Sequence, residues 1–251
     1  HKVGYNYRHA LHHVTHFFVQ NEECKQLLAT IGITWATVAG DTRFDRVLDI
    51  RQAAKPLPLI EQFAAQSQKV LVAGSSWEPD EALIIPYFNA HPELRLILAP
   101  HVVSEAHLRD IESRLQRPAV RYSDMSEAAA QQADCVIIDC YGLLSSIYRY
   151  GTVAHVGGGF GVGIHNVPEA AVYGVPVLIG PNNKNFMEAQ DLLKAGGCHE
   201  VTDTASFDAI LTQLLTDDDF RAKCGKANAD YISRGAGATA LVYDHVFAQQ
   251  A

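Results

Sequence analysis

Several common features are missing from this 251-residue chain: it has no run of basic residues, no C-x-x-C pair and no apolar stretch as long as a membrane-spanning helix. Its 20 Lys and Arg against 28 Asp and Glu leave a net charge of −8, which argues against a nucleic acid as partner. The five cysteines, Cys24, Cys135, Cys140, Cys198 and Cys224, form no paired spacing, so reduced thiols in a cytosolic compartment are expected rather than a disulfide framework. No signal peptide and no transmembrane helix are expected. His9, His12, His13 and His16 cluster in a helix-like start, but no acidic or cysteine ligand accompanies them and H-E-x-x-H is absent. A solvated or domain-facing helix is therefore preferred, with no metal.

What the chain does have centres on residues 153–186, VAHVGGGFGVGIHNVPEAAVYGVPVLIGPNNKNF. A β-branched run meets Gly157, Gly158, Gly159, Gly161 and Gly163, and Asn166 stands where a helix should begin. Strand, glycine loop and helix start in that order present backbone N–H groups to an anion, so a phosphate-bearing ligand is expected. The spacing matches neither G-x-G-x-x-G nor a loop ending in G-K-[ST]. Left over is H-N-x-x-E at His165, Asn166 and Glu169. That glutamate can accept from two ribose hydroxyls, or the Asn and Glu can form an ordinary capping pair.

With 48% hydrophobic residues the chain can bury a full core, and its length suits one domain or one and a fraction. Short β-branched runs at 70–73, 95–99, 119–122, 135–138, 153–156, 177–179 and 199–201 alternate with helical segments. That pattern predicts an α/β fold: a Rossmann-like parallel sheet with helices on both faces, whose ligands sit beyond the carboxyl ends of the strands. The candidates fall there: Gly74, Ser75 and Ser76 after the first strand, His101 after the second, Asp139 and Gly142 after the fourth, Gly158 and Gly159 after the fifth, Lys184 and Asn185 after the sixth. Each has a structural alternative. Ser75 and Glu78 read equally as an S-x-x-E cap with Pro79 in the first turn, His101 as a strand-end residue, Asp139 as an orienter of loop amides, and Tyr141 and Phe160 as packing.

Ahead of the sheet lie a strand at 17–20, a helix capped by Asn21 and a strand near 37–39. One β-α-β unit cannot cover its own apolar faces, so 1–48 is read as the remnant of another domain and the chain as a fragment. Pro56 and Pro58 mark 49–68 as a linker, and 69–251 is the ligand-binding domain.

The pattern GG…HN-x-x-E-x-A…G-x-PV…GP…NF, with GSSWEPDE at 74–81 and D-x-x-G-x-L at 139–144, resembles bacterial 3-deoxy-manno-octulosonic acid (Kdo) transferases, glycosyltransferases of GT-B architecture. Two departures stand out: Pro100 where members often carry Arg, and Gly159 where they often carry Ser or Thr. The resemblance implies the donor-binding half of such an enzyme, holding CMP-Kdo through Gly74, Ser75, Ser76, His101, Asp139, Gly142, Gly158, Gly159, His165, Asn166, Glu169, Lys184 and Asn185. It implies no cofactor, and a lipid A precursor as acceptor. The general base, acceptor binding and membrane association belong to the absent domain, at the cytoplasmic side of the inner membrane. It also implies that the final segment, 235–251, is a helix returning toward the first domain. The alternatives are another nucleotide-sugar-dependent GT-B transferase or epimerase, and a non-catalytic nucleotide-sugar-binding module.

Overall fold

The computed structural model describes residues 2–247, the side chains of 2–6 excepted, so His1 and the end of the last expected helix lie outside it. Contacts divide the chain into two compact units: residues up to Leu48 together with those from Ser233 on, and residues from Asp49 to Ile232. In the first unit α1 (Lys2–Leu11) precedes β1 (Phe17–Val19), α2 (Glu22–Ala29), β2 (Ala36–Val38) and the start of α3 (Thr42–Ala53). β1 and β2 pair in parallel, Phe17 opposite Ala36. α2 starts where Asn21 Oδ1 accepts the Cys24 N–H at 2.8 Å, satisfying one of the unpaired amides of the first turn.

The second unit runs through α4 (Pro58–Ala64), β3 (Val70–Ser76), α5 (Glu78–Ala90), β4 (Arg95–Pro100), α6 (Glu105–Arg114), β5 (Ala119–Arg121), α7 (Glu127–Gln132), β6 (Cys135–Ile137), α8 (Leu144–Ile147), β7 (Val153–Val156), α9 (Pro168–Ala171), β8 (Val177–Ile179), α10 (Met187–Ala195), β9 (Cys198–Glu200), α11 (Thr204–Thr216) and most of α12 (Asp218–Gly235). The first unit is completed by α13 (Ala238–Phe247).

All seven strands of the second unit are parallel, in the order β5-β6-β4-β3-β7-β8-β9. Central strands of such a sheet are covered on both faces and read as continuous apolar runs. Leu71, Val72, Leu96, Ile97, Leu98, Val136 and Ile137 accordingly have no exposed surface, each burial contributing about 1.5–3 kcal/mol. β3 lies at the centre, Val72 facing Ile97 of β4 on one side and Ala154 of β7 on the other. The chain leaves β3 for β4 and later returns to β3's other flank, so the order reverses between β3 and β7 and a crevice opens at their carboxyl ends.

One boundary differs from expectation and one agrees with it. The stretch 49–68 is no linker: α3 continues to Ala53, and Pro58 sits in the first turn of α4, which buries Ile60 and Phe63 completely. Proline is tolerated at that helical position because its missing N–H would be unpaired anyway, which is how a hinge-like sequence comes to start a helix. The closing segment agrees with its expectation of a helix returning toward the first domain: it clusters with the first unit, where Asp45 of α3 accepts the N–H groups of Gly237 and Thr239 just as α13 begins.

Candidate functional site

At the end of β3 the strand breaks register: Gly74 pairs with Ala99 and Ser76 with Pro100, leaving Ser75 bulged. Ser75 has φ +51°, the one non-glycine with positive φ among the described residues. Bulges and left-handed residues of this kind cost energy and gather where a chain must be re-aimed at a site. Here the bulge lets Gly157, after β7, approach so closely that a Cβ would stand 2.3 Å from the Ser75 carbonyl oxygen. Gly74 is equally constrained, since a Cβ would meet the Tyr148 hydroxyl at 2.0 Å.

Asp80, which has no exposed surface, joins these two loops. Its Oδ1 accepts from His155 Nε2 at 3.0 Å, and its Oδ2 accepts the Gly158 and Trp77 N–H groups, each at 2.9 Å. Burial pushes its carboxyl up, but the His155 hydrogen bond and charge, with the two amides, outweigh it and hold Asp80 below the ordinary carboxylate range. The expected S-x-x-E cap is therefore displaced by two residues: Trp77 is the N-cap of α5, and the carboxylate reaching back to it belongs to Asp80.

Glu81, also without exposed surface, accepts from Ser76 Oγ (3.0 Å), His107 Nε2 (3.0 Å) and Arg114 Nη2 (2.8 Å). A buried carboxylate is tolerable when donors surround it.

Trp77 anchors an aromatic column. Its ring stacks on His101 with centroids 4.6 Å apart, His101 stacks on His165 at 4.5 Å, and Trp77 Nε1 donates to His165 Nε2 at 3.1 Å. Burial, then the neighbouring His101, lower the His165 pKa against the opposing pull of Asp80. Beside the column lie a cavity of about 100 Å³, lined by Asp80, Gly158, Phe160 and Val162 among others, and an open cleft of about 640 Å³ reaching Ser104, His107 and Asp110.

Within the glycine loop, the Gly157 N–H donates to the Gly74 carbonyl, Gly158 N–H to Asp80, Gly161 and Gly163 N–H to the Gly158 carbonyl, and His165 N–H to the Gly157 carbonyl. The amides of Gly159, Phe160 and Val162 make no hydrogen bond among the described residues, although Gly159 is buried. Buried orphan N–H groups are rare in folded proteins, so a donor left over in a loop of this shape marks a place for an acceptor. Gly158 itself is not that donor.

The remaining candidates group as follows. Asn166 is not the N-cap of α9, which starts after Val167; its Nδ2 donates instead to Glu169 Oε1 at 2.8 Å. Burial raises the Glu169 carboxyl, only partly offset by Asn166. Burial and the nearby Glu169 charge push the Tyr148 phenol up as well, which ties Glu169 to the residue packed on Gly74. The 180–186 loop is fastened to the glycine loop: Asn182 N–H donates to the Gly159 carbonyl (2.8 Å) and Asn182 Nδ2 to the Gly161 carbonyl (2.7 Å). Lys184 and Asn185 follow on it, both exposed.

Asp139 accepts from the Ser123 N–H and hydroxyl, and Gly142 is exposed with φ +91°. Neither joins the column. Phe160 packs on the core as expected, but Tyr141 does not: it is 75% exposed, its hydroxyl accepting the Val103 N–H at 3.3 Å. The early histidines pack among themselves and with aromatic rings, His9 with His13 and His12 with Trp35. Sequence reasoning missed Trp77, Asp80, Glu81 and His155. His155 carried the available signal, a titratable residue inside an otherwise apolar strand.

A parallel sheet of this order, with a bulged turn and a glycine loop facing each other at its reversal point, defines the Rossmann-like C-terminal half of a GT-B fold. The curated relatives of the chain are Kdo transferases; the one from Bordetella pertussis is 26% identical over 255 residues, covering 96% of this chain and 58% of the relative. Solved structures share the fold, among them the following two. The C-terminal CMP-Kdo binding domain of WaaA from Acinetobacter baumannii superposes with TM-score 0.61 at 21% identity, over 77% of this chain and 100% of that domain. UDP-GlcNAc 2-epimerase from Neisseria meningitidis does so with TM-score 0.64 at 16% identity, over 91% and 60%. No family model matches. The chain spans about half the length of the curated relatives it matches.

Proposed function

We propose that this chain is the donor-binding half of a Kdo transferase, holding CMP-Kdo while a second domain presents a lipid A precursor hydroxyl at the cytoplasmic face of the inner membrane. The observation that carries the reading is the N–H of the buried residue Gly159, without a hydrogen-bond partner among the described residues, in a loop facing the Ser75 bulge, with the Glu169 carboxylate a few residues on. The amide meets a phosphate oxygen, and the carboxylate accepts from the ribose diol. Lys184 and Asn185 stand beside the loop as further contacts, and His101 and His165 border the nucleotide. As CMP departs, negative charge grows on its phosphate, and fixed amides stabilise that charge without reorganising. No step requires a metal or cofactor.

Residues 1–48 are the end of the acceptor domain in this reading, and membrane attachment lies outside the sheet unit. Among the described residues, no helix is long and apolar enough to cross a membrane. The shared fold of the UDP-sugar epimerase makes the nucleotide base the point to test. Calorimetry is expected to show CMP bound more tightly than UMP or AMP; equal affinities would remove the assignment.

A further inference from the structure

We propose that Asp80 is a positioning residue for the anion site: by taking the Gly158 amide it fixes the turn of the glycine loop so that the next amide, Gly159, is the one left for phosphate. The inference rests on reading this loop as a phosphate site.

Three features carry it. Asp80 is wholly buried, yet every partner it has among the described residues is an N–H donor from a different part of the site. The Trp77 amide comes from the start of α5, the Gly158 amide from the loop after β7, and the His155 ring from inside β7. One carboxylate therefore sets the distance between the indole wall and the glycine loop. Second, Gly158 has φ +90° and its carbonyl accepts from both Gly161 and Gly163, so its peptide orientation governs the whole loop. Positive φ is readily reached only by glycine, and the hydrogen bond to Asp80 selects it. Third, the two consecutive amides are treated oppositely. Gly158 is satisfied inside the protein and Gly159, equally buried, is not.

The chemistry explains why a carboxylate is needed. Asp offers two oxygens that only accept, and their charge strengthens the bonds to the Gly158 and Trp77 amides, whereas Asn keeps a single neutral oxygen for those amides and turns its NH₂ toward His155 or toward one of them. The ionised form is also the one the site stabilises. Asp80 touches no ligand in this arrangement. Its effect on binding passes through the backbone of the loop.

The test separates the phosphate's share of binding from the rest by comparing CMP with cytidine, in the wild type and in Asp80→Asn, with thermal melting of both proteins. The wild type is expected to prefer CMP over cytidine on the order of tenfold or more, the size of one or two charge-assisted hydrogen bonds. Asp80→Asn should lose most of that preference while its cytidine affinity stays within about twofold. A folded variant that keeps the preference overturns the role of Asp80 and leaves the phosphate site standing. A wild type without any preference overturns the phosphate reading, and the role of Asp80 with it.

Should Asp80→Asn fail to fold, amide hydrogen exchange in the wild type decides the matter. The Gly158 N–H should be protected with and without CMP, and the Gly159 N–H only with it. Gly158 gaining protection on CMP addition, or Gly159 protected in its absence, overturns the proposal.

Discussion

Trp77 Nε1 donates to His165 Nε2 across 3.1 Å, and this bond fixes the state of the imidazole, because an accepting nitrogen carries no proton. His165 is thus held neutral with its proton on Nδ1, in line with the lowering of its pKa by burial and by His101. The unfolded chain takes up this proton near pH 6.5 and the folded chain only at lower pH. Between the two values the unfolded state binds more protons, so stability is fully present above pH 6.5 and declines as pH falls through that window. The indole N–H resonance of Trp77 should report the break, with a midpoint below 6.5. A midpoint at or above that value is incompatible with the bond.

Glu169 separates a ligand role from a structural one. Gln at this position still accepts from Asn166, so stability should change by about 0.5 kcal/mol or less. Replacing a charge-assisted acceptor with a neutral one should weaken CMP binding about tenfold. Because burial raises the carboxyl above its ordinary 4.5, wild-type affinity should fall with decreasing pH before an ordinary carboxylate would titrate. The Gln variant should lack that inflection. Affinity unchanged by the substitution at neutral pH would remove Glu169 from the site.

Gly159 packs against the 180–186 loop, and the structure shows why glycine is needed here. A Cβ at 159 would stand 2.6 Å from the Gly180 backbone nitrogen, so neither side can yield without moving main chain. Gly159→Ser should cost about 1–3 kcal/mol in chemical denaturation, as overpacking does. Gly161, whose Cβ position is open for 4 Å around, should accept Ser within about 0.5 kcal/mol. Equal costs at the two positions would contradict the close contact of the loops.

Transfer itself requires acceptor hydroxyl, base and donor carbon in one place. The carboxylates beside the glycine loop already have roles, Asp80 and Glu81 with buried donors and Glu169, in the reading proposed above, with the ribose diol. The 251-residue chain is therefore expected to bind CMP yet to show no Kdo transfer to a lipid A precursor in a radiolabelled assay. Turnover by this chain alone would mean that one of these residues serves as the base.

The five inner strands were legible as short apolar runs that the structure buries, the edge strands β5 and β9 only by their place in the alternation, and the glycine loop because its composition leaves few other conformations. The N-terminus of α5 was not. In sequence, Ser75, Glu78 and Pro79 form a plausible cap, and nothing local says that Trp77 and Asp80 replace it. That outcome depends on Gly158 and His155, 78 and 75 residues away. The α4 helix was hidden for a different reason: Pro58 reads as a breaker unless its place in the first turn is known. Tyr141 shows the limit of residue type as a guide, an aromatic ring left in solvent because its hydroxyl serves a backbone amide.

The same long-range pairing orders the assembly of the protein in time. When β3, α5 and β4 have formed, Asp80 has only the Trp77 amide, and its charge cannot leave water without a cost of several kcal/mol. The partners that make its burial tolerable arrive 75 and 78 residues later along the chain. A nascent chain stopped before β7 therefore keeps the start of α5 hydrated and its indole loose. The β3–β7 seam is therefore expected to close as a late, non-local event in folding, and a chain with β7 mispaired to leave one stranded carboxylate.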